Sequence, residues 1–117
     1  MVTEMNEFEL FTLIYFVLDS YYDPDDCDDF TNTVISDMGP FTFEGIGSAD
    51  PIMYNEYLEF LNGRKITIEN SFDIAKEYVR TITYADVNEA MGSLTEEEWR
   101  KGAEKYLSEP HKGMDVK

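Results

Sequence analysis

Phe8-Glu9-Leu10-Phe11-Thr12-Leu13-Ile14-Tyr15-Phe16-Val17-Leu18 is the longest apolar run in the chain, and its reading decides the fold. It spans 11 residues, well short of the ~20 that cross a bilayer. Phe8, Phe11, Tyr15, Leu18 and Tyr22 recur at helical spacing, which predicts a helix over about Glu4 to Tyr22. Leu10, Leu13, Ile14 and Val17 make its middle apolar almost all round, so it is expected to be the central helix of a core. Glu4 and Glu7 suit the positive end of the helix dipole, and Pro24 is a stop signal.

Working outward, a second helix is predicted from about Asp26 to Met38, with Phe30, Val34 and Met38 on one stripe and Ile35 beside it. Gly39-Pro40 ends it. Phe41, Phe43 and Ile46 then lie in a Gly-bounded loop and are expected to tuck against the core. Ser48-Ala49-Asp50-Pro51 starts the next helix, with Asp50 as cap and Pro51 at the first helical position, where its missing N–H is harmless. That helix is expected to bury Ile52, Tyr54 or Tyr57, Leu58 and Leu61 before Asn62-Gly63 closes it. Thr67 caps a fourth helix to about Ile82, with Ile68, Phe72, Ala75, Val79 and Ile82 inward. A short segment from Tyr84 to Met91 stops at Gly92. Thr95 with Glu98 fits a capping box, and Trp99, Ala103, Tyr106 and Leu107 stripe the last helix.

These elements predict an all-α fold of about five helices in one domain over residues 1–109, with 110–117 as a flexible tail. The alternative is α+β. Phe41-Thr42-Phe43 and Ile66-Thr67-Ile68 both alternate and would pair as a two-stranded ribbon. A hydrophobic content of 43% in 117 residues excludes a disordered acidic tail.

Charge is divided unevenly. From Met1 to Gly63 there are 14 acids and no Lys or Arg, whereas all nine bases lie between Arg64 and Lys117 beside 11 acids. The net charge of −16 exceeds the magnitude of roughly 2–8 that keeps a small domain soluble. A one-sign half steers basic partners and repels nucleic acid and anionic lipid. The implied function is binding a basic protein, with no direct nucleic-acid or membrane contact. Self-repulsion also predicts a protein that is steadier in salt.

Chemistry is poorly represented. Cys27 is the only cysteine, so no internal disulfide forms, and a reducing, cytoplasmic location is expected. Aspartates around Cys27 raise a thiol pKa, and the lone His111 falls in the expected tail. No Cys/His metal set and no Ser-His-Asp triad assembles, and Gly45-x-Gly47 lacks the Lys of a phosphate loop. No catalytic, cofactor or metal residue is assigned, and the chain reads as no enzyme.

A calcium loop read from Asp23 places Cys27, Asp28 and Val34 at positions 5, 6 and 12, where an oxygen ligand, Gly and Glu are needed. The plain alternative is a solvated turn with Asp25 or Asp26 capping the second helix. The partner-binding candidates are Asp19, Asp23, Asp25, Asp26, Asp28 and Asp29, with Tyr21 and Tyr22 as anchors and Glu44 on the aromatic loop.

Asp37-Met38-Gly39-Pro40-Phe41 through Ser48-Ala49-Asp50-Pro51-Ile52-Met53-Tyr54-Asn55-Glu56-Tyr57-Leu58 resembles a segment of small, largely uncharacterised bacterial proteins. Thr67 to Tyr78 is similar to the helix that follows it there. Some of these acidic proteins resemble immunity proteins of toxin systems. The resemblance implies a helical fold and a bacterial or phage-related origin, and its motif is a helix cap. The expected function is an inhibitor or immunity-type protein that neutralises a basic partner, a toxin nuclease above all. Alternatives are a phage or mobile-element DNA mimic acting on a restriction or CRISPR effector, a divalent-cation-binding protein, and a housekeeping adaptor whose acidity serves solubility.

Overall fold

Asn6 decides where the first helix begins. Its side chain accepts from the Glu9 backbone N–H, and the Glu9 carboxylate accepts from the Asn6 N–H, each at 2.8 Å, closing a capping box. In the computed structural model, which describes residues 3–23, 25–83, 85 and 87–116, α1 therefore runs Glu7–Tyr21. Glu4 does not belong to it, contrary to the sequence reading. Glu4–Met5 forms β1 instead, antiparallel to β2 (Ile66–Thr67), with Glu4 opposite Thr67 and Met5 opposite Ile66. The ribbon partner of Ile66-Thr67 is thus the start of the chain, and not Phe41-Thr42-Phe43. An ion pair between Lys65 and Glu4 at 2.8 Å flanks the pairing.

The remaining helices are α2 (Asp29–Met38), α3 (Pro51–Leu61), α4 (Ile68–Arg80), α5 (Asn88–Gly92) and α6 (Glu96–Ser108). Their starts are written in the capping residues. Asp50 accepts from the Ile52 N–H ahead of α3, while Thr67 with Asn70 and Thr95 with Glu98 close capping boxes on α4 and α6. Asn62, at φ 51°, ends α3 in the left-handed region. Pro24 and Tyr84, expected to stop the first helix and start the fifth, lie outside the described residues. The result is a mostly helical domain with one tiny sheet. Its radius of gyration of 13.4 Å matches the ~13 Å of one compact domain this long.

α1 is the core helix that its composition predicts. Phe8, Glu9, Leu10, Phe11, Thr12, Leu13, Ile14 and Leu18 are all buried. Phe11 is fully buried among Tyr54, Tyr57 and Tyr78, with ring centroids 5.1, 4.8 and 6.4 Å away. Edge-on and tilted ring contacts of this kind contribute about 0.5–1.5 kcal/mol each beyond area burial. Tyr57 also donates its hydroxyl to the Glu7 carbonyl at 2.6 Å, which fixes α3 on α1. α6 packs on α4 through Trp99, stacked on Phe72 and donating its indole N–H to Ser71 Oγ at 2.8 Å.

Three burial expectations fail. α3 turns Met53, Tyr54, Tyr57 and Leu61 inward and leaves Ile52 64% exposed, because the tyrosines join the Phe11 cluster. On α2, Thr31 takes the inner stripe with Val34 and Met38, and Phe30 faces out. Phe41, Phe43 and Ile46 are exposed rather than tucked away, since the core is already filled by α1 and α3.

The segment after Pro110, expected to fray, folds back onto the start of α1. Asn6 donates its side-chain amide to the Gly113 carbonyl at 2.7 Å and to the Val116 carbonyl at 3.1 Å. Lys112 donates to the Pro40 carbonyl at 2.6 Å and to that of Phe43, tying segment and aromatic loop together. Gly113 has φ 86°, and a Cβ there would sit 2.5 Å from the Phe8 ring. Only glycine fits this approach.

Candidate functional site

The end of α1 carries the first part of the site. Asp19 and Tyr21 lie in its last turn and are exposed. Tyr22 leaves the helix in extended backbone, its N–H still donating to the Leu18 carbonyl at 3.1 Å. The change of direction sets the two tyrosine rings edge to face with centroids 4.9 Å apart, Tyr21 outward and Tyr22 half-buried. Desolvation raises the Tyr21 phenol pKa, and the Glu89 carboxylate of α5 at its hydroxyl raises it further.

The acidic turn follows. Asp23 accepts from the Asp25 N–H at 2.9 Å, and its carbonyl accepts from the Asp26 N–H at 3.0 Å. Asp28, rather than Asp25 or Asp26, caps α2, accepting from the Thr31 N–H at 2.7 Å. That hydrogen bond stabilises the ionised form and lowers the Asp28 pKa. Asp29 occupies the first turn of α2. Asp23, Asp25, Asp26, Asp28 and Asp29 are all exposed. Desolvation raises the Cys27 thiol pKa, as do Asp28, Asp23 and Asp26. Among the described residues, no three His, Cys, Asp or Glu side chains converge to hold a metal ion.

These acids cluster within eleven residues of sequence without an ion pair among the described residues, although Arg80 lines the same surface hollow as Asp28. Among the described residues, the ion pairs join Arg64 to Glu77, Lys65 to Glu4, Lys76 to Asp73, Arg100 to Glu96, Lys101 to Glu97 and His111 to Glu9. None reaches Asp19 or the 23–29 turn. Four of these six pairs lie within residues 64–117, and only Glu4 and Glu9 of the first half are offset, so the field of that half stands largely intact. Glu44 sits apart from the turn in sequence, exposed on the loop whose Phe41 ring stacks on Phe16 of α1 at 5.8 Å.

Sequence reasoning missed a groove. It opens between α1 and α6, has a volume of about 450 Å³, and its wall includes Phe16, Val17, Tyr21, Trp99, Gly102 and Tyr106. Leu13, Phe16, Val17, Ser20 and Tyr21 line it at i, i+3, i+4, i+7, i+8. The signal was present in a helix that is apolar almost all round, more than one packed face requires. Tyr21 belongs to the groove and to the acidic end of α1 together. Desolvation raises the pKa of Tyr106, on the opposite wall, whose hydroxyl lies beside Thr12.

Among the described residues, no helix is long and apolar enough to cross a membrane. Comparison with protein-family models, curated proteins and solved structures finds no match for this chain.

Proposed function

We propose that this chain is a non-enzymatic acidic binding protein that neutralises a basic protein partner, of the immunity or inhibitor type. The supporting observation is the set of exposed acids from Asp19 to Asp29, unpaired with any base among the described residues and continuous with Tyr21. A toxin nuclease is the partner that fits best, because a surface built to grip phosphates is positive. An acidic protein competes for that surface by matching the same field. His111, the one residue suited to general-base work at neutral pH, is engaged by Glu9 and the Glu109 carbonyl, which fits a structural role. The unbridged Cys27 fits a reducing cytoplasm.

The test is affinity capture from source cells with the native chain and with the Asp25→Lys, Asp26→Lys, Asp28→Lys, Asp29→Lys variant in parallel. A basic protein retained by the first and lost by the second is expected. Equal retention, or no basic protein retained, contradicts the reading.

A further inference from the structure

We infer that the groove between α1 and α6 seats a cationic amphipathic helix of the partner protein, and that Gly102 is small to admit it. This rests on the basic-partner reading above and names the surface that does the holding.

The first argument is shape. Across the groove from the α1 stripe, Trp99, Gly102, Ala103 and Tyr106 form an i, i+3, i+4, i+7 stripe on α6. α6 packs chiefly on α4, and α1 on α2, α4 and α5, so the two stripes face one another across a trough that Phe16 and Tyr106 bridge edge to face, ring centroids 5.8 Å apart. From Leu13 to Tyr21 the α1 wall is ~12 Å long, enough to receive the side chains of about two turns of a third helix lying over it. Helix-in-groove recognition uses this geometry, with apolar anchors at the same spacing on the guest.

The second argument is Gly102. A glycine inside a helix costs about 1 kcal/mol relative to alanine. A Cβ at Gly102 would meet nothing within 4 Å, so no neighbour inside the fold requires its absence. Gly102 leaves the groove open at this point of the α6 wall, where a larger side chain would narrow it.

The third argument is charge. Among the described residues, Glu98 is the one charged residue lining the groove, and Glu89 stands at the Tyr21 hydroxyl on its edge. Arg100 and Lys101 pair with Glu96 and Glu97 on the opposite face of α6. An occupant must bring both an apolar stripe and positive charge. A second copy of this chain, at −16, is repelled, and so is an anionic amphiphile.

Trp99 is the only tryptophan and lines the groove, so its emission reports occupancy. The probe is a Leu/Lys peptide about five turns long, patterned as an amphipathic helix, beside a scrambled peptide of equal composition with no apolar face. In moderate salt the patterned peptide is expected to shift Trp99 emission, and the scrambled one to bind about tenfold more weakly or worse. Gly102→Leu fills the trough and is expected to cut affinity about tenfold or more. Gly102→Ala is expected to raise the melting temperature while weakening the peptide by a smaller factor. Tyr21→Ala, at an exposed position, supplies a second groove variant should Gly102→Leu fail to fold.

Equal binding of the two peptides, or undiminished binding to a folded groove variant, overturns the inference. If the four-Lys variant weakens the peptide and Gly102→Leu does not, the acidic-surface reading survives and the groove falls. If neither does, both fall. Concentration-dependent self-association abolished by Gly102→Leu would also overturn it, in favour of a second copy.

Discussion

His111 Nε2 meets the Glu9 carboxylate across 102 residues of sequence, with both side chains less than 10% exposed. The His111 ring lies on Tyr106, centroids 4.3 Å apart, and its Nδ1 faces the Glu109 carbonyl at 2.6 Å. Both nitrogens face acceptors, so both contacts are hydrogen bonds only when each carries a proton. The pair clamps the last residues onto the first turn of α1. His111→Ala is expected to lower stability by roughly 1–3 kcal/mol, the cost of leaving a buried acceptor unsatisfied. Release of the 110–116 segment caps the loss, so hydrogen exchange there should quicken more than in α4. Unchanged protection of the segment would argue against the clamp.

The aromatic cluster is expected to dominate core stability. Phe11→Ala removes the ring that touches Tyr54, Tyr57 and Tyr78 and should cost about 3–5 kcal/mol. Tyr57→Phe deletes only the hydroxyl bound to the Glu7 carbonyl and should cost about 1 kcal/mol. Denaturant unfolding of both variants checks the order. Equal losses would show that the hydroxyl, rather than ring packing, holds α3 to α1.

Stability is expected to fall at alkaline pH. Desolvation by burial raises the Tyr54 and Tyr57 phenol pKa values well above the usual 10.0, with Glu7 adding to both. A raised folded-state pKa contributes stability that is fully present below the unfolded value near 10 and lost as pH climbs toward the folded value. Ultraviolet titration should therefore show these two phenols ionising only as the chain unfolds. Smooth ionisation of all tyrosines near pH 10 with the fold intact would contradict their burial.

Salt should stabilise the fold. The 14 acids of the first 63 residues repel one another with no base of their own segment to offset them. Raising ionic strength from ~0.01 M to 0.15 M shortens the screening length from ~30 Å to ~8 Å. The melting temperature should rise over that range. A flat response would mean that the acidic surface is not under electrostatic strain.

Local signals carried most of the fold. Asp50-Pro51, Thr67 and Thr95 with Glu98 mark helix starts through side chains that cap their own backbone, so no distant partner is needed to read them. The stripe on α4 was legible because its apolar and polar faces are cleanly separated. α3 was not, since Ile52 and Met53 are equally apolar neighbours and only the Phe11 cluster selects Met53. The β1–β2 pairing and the clamp at His111 depend on contacts over 60 residues or more in sequence, which no local pattern encodes. Of the site, the acidic turn was visible as charge. The groove was not, because its two walls come from opposite ends of the chain.

The most direct measurement concerns encounter with the proposed basic partner. Exposed charges mainly accelerate association, whereas buried anchors slow dissociation. With the captured partner in hand, stopped-flow association should slow when Asp25, Asp26, Asp28 and Asp29 are all changed to Lys, and added salt should slow the native chain in the same direction. Tyr21→Ala should instead speed dissociation, by about 2 kcal/mol if it is a hot spot. An association rate that neither the four lysines nor salt alters would contradict the claim that the acidic end of α1 is the docking surface.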